Sequence, residues 1–175
     1  MDAVQSQHLG RIRHLRESFA EANERLVARL RRATDESAQR APEGGWSPAQ
    51  IGWHVATVTN RFAGLMSGDL QGTSELPADF LERPWEEVAR QIPARVQAPA
   101  SVHPPPVVRR MDAISALEGA GQRFARALDT VTVQRGARLG ITHPVVGSIN
   151  VYQIGEWAIA HVIRHNKQAK GVLGE

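Results

Sequence analysis

Residues 68–110 most constrain what this chain can fold into. They hold seven of its ten prolines: Pro77, Pro84, Pro93, Pro99 and the run Pro104-Pro105-Pro106. Proline fixes φ and lacks the N–H that regular structure needs, so the stretch predicts a long, irregular connection. One short helix fits within it, from Pro84 to Ile92, with Glu86 and Glu87 in a first turn where the helix dipole favours acids. The segments on either side read as helices. A connection this long is not the tight turn that joins antiparallel neighbours. It predicts a bundle whose second and third helices run in the same direction.

Four amphipathic stretches supply the helices. Residues 7–38 carry Leu9, Ile12, Leu15, Phe19, Ala22, Leu26, Leu30 and Ala33 at steps of three and four, ending before Ala41-Pro42-Glu43-Gly44-Gly45. The second helix runs from Pro48 to Ser67, with Gly68 as its stop. Ser47 and Gln50 form a capping box, Pro48 takes the first helical position, and Trp46 and Ile51 flank the cap as a staple. The third helix spans 112–130, with Ile114, Leu117, Gly121, Phe124 and Leu128 on one side. Residues 140–148, GITHPVVGS, read as a loop, and the fourth helix starts at Asn150, where Gln153 completes a second capping signal. Lys167 and Lys170 fall in its last turns and complement the dipole. The sequence has no convincing strand alternation and no internal repeat. The expected fold class is all-α, a four-helix bundle forming a single domain over residues 1–175.

Composition narrows the function classes. Hydrophobic residues make up 42% of the 175, enough for one domain with a core. There is no cysteine, which excludes disulfides, thiolate ligands and a cysteine nucleophile. Twenty-one basic and 18 acidic residues leave a net charge of only +3. Pairs such as Arg13–Glu17 and Glu21–Arg25 have the spacing of a solvated helix face. No aromatic-basic motif, finger spacing or basic tail points to nucleic acid. The first residues lack an apolar signal core, and no apolar run approaches a membrane span. These features predict a cytoplasmic protein with no nucleic-acid or membrane partner.

Three of the seven histidines fall on apolar helix faces. His8, His14, His103 and His143 read as surface or loop residues. His54 shares its face with Ile51, Val58, Phe62 and Leu65, and His161 and His165 lie with Ile154, Trp157, Ala158 and Val172. His161 and His165 are four residues apart, so their rings point the same way, roughly 6 Å apart along the axis. Such a pair can grip one metal ion, or it can be two hydrogen-bonded core histidines. Buried neutral imidazoles need partners for both nitrogens. A divalent metal would satisfy three together and leave coordination positions open.

Two stretches resemble a known family. Residues 46–55, WSPAQIGWHV, are similar to the second-helix motif of the DinB-like superfamily, in which a Trp-Ser opening leads to a metal-binding histidine. Residues 143–168 are similar to its fourth-helix signature through His143-Pro144, Gly147, His161, His165 and Gln168. The sequence departs from that signature at Ile154, where Trp is common, although Trp157 lies one turn before His161. The resemblance implies an up-down-down-up bundle with a long crossover between helices 2 and 3. It implies a divalent metal, zinc or nickel, held by His54, His161 and His165. Superfamily members include S-transferases that use bacillithiol, mycothiol or glutathione, and maleylpyruvate isomerase shares the bundle. The resemblance also leaves room for a homodimer. The sequence ends soon after helix four, so no added thiol-recognition domain is expected.

The chemistry expected is attack of a low-molecular-weight thiol, or water, on an electrophile, activated by the metal. With no cysteine in the chain, the thiol must be a co-substrate. Gln168 shares the ligand face and either orients a ligand or is polar packing at the bundle end. Trp157 either walls the pocket or is core. Arg164 either binds an anionic group of thiol or substrate or is structural. Glu156 lies about 140 degrees around the helix from His161 and receives no role. The alternative is a non-catalytic metal- or small-molecule-binding protein of a stress response.

Overall fold

The computed structural model describes residues 2–93 and 98–175. Four long helices carry the fold: α1 (Ala3–Arg32), α3 (Pro48–Ser67), α5 (Arg110–Asp129) and α7 (Val151–Leu173). The connections hold the short helices α2 (Asp35–Gln39), α4 (Trp85–Ala89) and α6 (Val133–Arg138), and a 3-10 turn at Ala100–Val102. The strands β1 (Ser74–Glu75), β2 (Leu139–His143) and β3 (Gly147–Asn150) form a small antiparallel sheet in that order.

Local chemistry sets the helix ends. At α3, Ser47 Oγ accepts from the Gln50 N–H at 3.2 Å, and Gln50 Oε1 accepts from the Ser47 N–H at 2.9 Å. The same reciprocal pair opens α7, between Asn150 and Gln153. Gly68 closes α3 at φ 89°, a left-handed conformation that favours glycine. The first helix ends earlier than its periodicity predicts. Thr34 accepts from the Ser37 N–H at 3.1 Å and starts α2, so the expected 7–38 helix is two helices.

The expected loop at 140–148 is a correction of another kind. Ile141 faces Ile149 and His143 faces Gly147 in an antiparallel hairpin. Gly147 turns it at φ 73°, and a side chain at Gly140 would run into the Ile149 carbonyl.

The helix directions follow from contacts at both ends. His8 meets Tyr152, and Arg29 Nε donates to Asn166 Oδ1 at 2.8 Å, so α1 and α7 are parallel. Arg16 pairs with Asp129 at 2.6 Å, while Arg110 reaches the Leu30 carbonyl at 3.4 Å, so α1 and α5 are antiparallel. Gly52 lies against Ala113 and Leu117, and Gly64 near Arg123, so α3 and α5 are parallel. Met66 meets Gly155 while His54 meets His165, so α3 and α7 are antiparallel. The bundle is up-down-down-up. Its interior is filled by Leu26, Leu30, Ile51, Val55, Leu117, Phe124 and Ile154, with Phe19 stacked on Phe124 at 4.0 Å. Each large side chain so buried stabilises the fold by about 1.5–3 kcal/mol.

On either side of residues 94–97 the crossover is tied to the bundle. Arg11 grips Glu82 through two N–H groups, and Glu82 also accepts from Asn150 Nδ2 at 2.8 Å. Gln153 Nε2 donates to the Arg83 carbonyl at 2.8 Å. Further along, Gln50 Nε2 donates to the carbonyls of Pro105 and Pro106 at 3.0 and 3.1 Å. Residues 94–97 of the crossover lie outside the described residues.

Candidate metal centre

His54 leaves α3 toward the antiparallel α7, and His161 and His165 leave α7 toward α3. One potential ligand atom from each lies within 4.8 Å of the others. The ring centroids are 4.4 to 5.1 Å apart, and His54 Nε2 stands 3.2 Å from His161 Nε2. The site is well shielded: His54 is 3% exposed, His165 9%, and His161 partly buried.

The outer nitrogens fix the tautomers. A carbonyl only accepts, so His54 Nδ1–H donates to the Val102 carbonyl at 2.8 Å and Nε2 keeps its lone pair. His165 Nδ1–H donates to Gln168 Oε1 at 2.8 Å, which leaves its Nε2 free in the same way. Burial pushes all three imidazoles toward neutrality. For His54 the Val102 hydrogen bond opposes part of that shift. Burial, with His165 and His54 close by, takes His161 well below the ordinary range. Burial and His54 bring His165 down to about 4.

Neutral His161 is left in conflict. Its Nδ1 is buried without a hydrogen-bond partner among the described residues. With the proton on Nδ1, a donor is orphaned and two lone pairs meet at 3.2 Å. With the proton on Nε2, an acceptor is orphaned instead. A cation between the rings removes the repulsion of the Nε2 lone pairs. Nitrogens about 2.0–2.1 Å from a tetrahedral ion lie about 3.3 Å from each other, close to the 3.2 Å between His54 and His161. These residues therefore fit a divalent metal.

The surroundings are largely aromatic. Trp46 packs on His54 with centroids 4.8 Å apart and on His103 at 5.7 Å. Phe62 lies 6.4 Å from His161 and 5.9 Å from Trp157, and Trp157 meets His143 edge-on at 5.1 Å. Arg164 Nη1 donates to the Pro93 carbonyl at 3.3 Å, and Arg61 donates to Ser101 Oγ at 2.7 Å, so both tie the crossover to the site's helices. His8, His14, His103 and His143 stand outside the cluster, but His8 is not the surface residue expected: it is buried against the Tyr152 hydroxyl at 2.7 Å. Sequence reasoning missed Val102, because a backbone carbonyl leaves no mark in residue identity. It also missed the second duty of Gln50, whose amide both caps α3 and holds the crossover.

Three imidazoles thus meet between the second and fourth long helices of an up-down-down-up bundle, a donor set that could hold a metal ion. The chain belongs to the DinB superfamily, which it matches over residues 18–169. Among solved structures it is similar to one described as "YfiT from Bacillus subtilis is a probable metal-dependent hydrolase with an unusual four-helix bundle topology". The two are 21% identical, the match covers 93% of this chain and 87% of that one, and the TM-score is 0.56. At that identity the likeness establishes the fold. No match was found among curated proteins. No helix of the described residues is long and apolar enough to cross a membrane.

Proposed function

We propose that His54, His161 and His165 hold one divalent ion, zinc or nickel, and that the chain is a single-domain, cytoplasmic, metal-dependent enzyme acting on a small electrophile. What supports this reading is one arrangement: three neutral imidazoles converge while the outer nitrogens of His54 and His165 are held by Val102 and Gln168. When bound, such a metal lowers the pKa of a thiol or water and polarises an electrophile. The protein's own part is to orient and to exclude water. Val102 and Gln168 hold the rings' orientation, while Phe62 and Trp157 present an apolar wall beside His161. Arg164, next to His165 and three residues after His161, can neutralise an anionic thiol or substrate.

The nucleophile we favour is a low-molecular-weight thiol, which makes the reaction an S-transfer. A second reading, attack by water, draws on the likeness to a protein described as a probable metal-dependent hydrolase. The decisive experiment is metal content by elemental mass spectrometry, wild type beside His161→Ala/His165→Ala, followed by turnover of electrophiles with and without thiols. About one ion per chain, lost in the variant, with thiol-dependent turnover, is the expected result. Thiol-independent turnover selects the hydrolase. Metal without turnover leaves a binding protein, and no metal after exposure to a divalent-ion panel overturns the reading.

A further inference from the structure

The three imidazoles are not held alike. His54 is anchored twice: its Nδ1–H donates to the Val102 carbonyl at 2.8 Å, and Trp46 packs on its ring with centroids 4.8 Å apart. His165 is anchored through Nδ1–H to Gln168 Oε1 at 2.8 Å. His161 has no such hold. Its Nδ1 is the one buried side-chain nitrogen or oxygen without a hydrogen-bond partner among the described residues. Phe62, edge-on to its ring at 6.4 Å, offers no acceptor.

This asymmetry fixes where His161 carries its proton. His54 Nε2 keeps a lone pair because Nδ1 holds the hydrogen, and His161 Nε2 stands 3.2 Å from it in hydrogen-bonding geometry. In the metal-free chain a neutral His161 therefore carries its proton on Nε2 and donates it to His54, leaving an acceptor unpaired at Nδ1. An ion between the rings needs that Nε2 lone pair. The proton must leave Nε2 and Nδ1 must take one up, so the ring stays neutral and no proton is gained or lost overall. The chain then gives up the bond from His161 to His54 and is left with a buried N–H that nothing accepts. His54 and His165 already have the tautomer a metal requires.

Resting on the metal reading proposed above, we infer that His161 is the conditional ligand of the three. It latches onto His54 in the metal-free chain, joins an ion only by moving its proton from Nε2 to Nδ1, and lets go first. An acceptor on the second nitrogen of a ligating histidine is worth about 10–100-fold in metal affinity. His54 and His165 have one and His161 does not, so the first two carry most of the affinity and His161 governs exchange of the ion.

The test is nitrogen NMR of the whole chain labelled with ¹⁵N-histidine, stripped with a chelator and then loaded with one zinc. Zinc affinities of the three single alanine variants, by competition against a chelating dye, accompany it. In the stripped wild type, His54 and His165 should carry the proton on Nδ1 and His161 on Nε2. Zinc should move the His161 proton to Nδ1 and leave the other two rings as they were. His161→Ala should cost at least about tenfold less affinity than His54→Ala or His165→Ala. The NMR result needs no variant, so it decides the matter even where an alanine variant fails to fold. A His161 proton on Nδ1 before zinc is added, or a His161→Ala loss equal to the other two, would overturn the inference and leave the metal site standing. A wild-type chain that takes up no zinc would overturn both.

Discussion

Replacing Glu156 by Gln should stabilise this protein, and only at neutral to alkaline pH. The Glu156 carboxyl moves from an ordinary 4.5 to about 7 because burial penalises its charge, with Glu82 and Glu86 adding to that and Arg11 opposing it. At 1.36 kcal/mol per pH unit the full displacement corresponds to about 3.4 kcal/mol. The group is only half-buried, so water screens much of this, and about 1.5 kcal/mol is the working figure. The sign follows from proton binding. Between pH 4.5 and 7 the folded chain keeps a proton that the unfolded chain has released. Stability from this group is therefore present at low pH and lost as pH rises through 7. Glutamine keeps the shape and removes the titration. The variant should melt about 3–6 °C above wild type at pH 8, a gap that shrinks to a degree or so at pH 5. Thermal denaturation of both proteins at the two pH values and one ionic strength measures it. A gap independent of pH, or a variant less stable at pH 8, would refute the account of Glu156 as an unpaired, desolvated carboxyl.

The metal-free protein should lose stability as pH falls from 6.5 toward 4, because the folded chain refuses protons that the histidines accept once unfolded. His165 is brought down to about 4, and His54 and His161 are lowered with it. Each imidazole can contribute up to about 1.4 kcal/mol per pH unit in that window. Urea unfolding at pH 7 and 5.5 should show a steeper fall in wild type than in His161→Ala/His165→Ala, and equal slopes would contradict it. Gln168→Leu removes the acceptor for His165 Nδ1–H and should weaken metal binding about 10–100-fold without unfolding the bundle. Competition against a chelating dye measures this, and unchanged affinity would make Gln168 packing alone.

The parts of the fold that are local in sequence could be read there. Both capping boxes, Ser47–Gln50 and Asn150–Gln153, lie within three residues and form as read. The length and proline content of 68–110 pointed to parallel second and third helices, because chain geometry and not any particular contact imposes that. The end of the first helix misled, since Ala33 continues the apolar period while Thr34 captures the Ser37 N–H and starts a new helix. The hairpin at 139–150 escaped because its strands are too short to show alternation, and β2 is also steadied by β1, more than sixty positions earlier. At the site, helical spacing brought out the three histidines. The groups that turn them, a carbonyl at 102 and a ring at Trp46, come from packing that no periodicity records. Glu156 shows the same limit. Its angle on α7 was legible, but its burial came from α1 and α4.

The hydrogen bond from His54 to Val102 spans 48 positions, and the approach of His54 to His161 spans 107. Closing such loops costs chain entropy before any contact rewards it, so distant pairs form late in folding. Until α7 docks on α3, the chain can offer an ion at most the adjacent pair His161 and His165. Folding therefore precedes loading. An ion at this triad would be captured by a finished bundle rather than used as a template for one, unlike small zinc modules that unfold when stripped. A chelator should then empty the site and leave the helices standing.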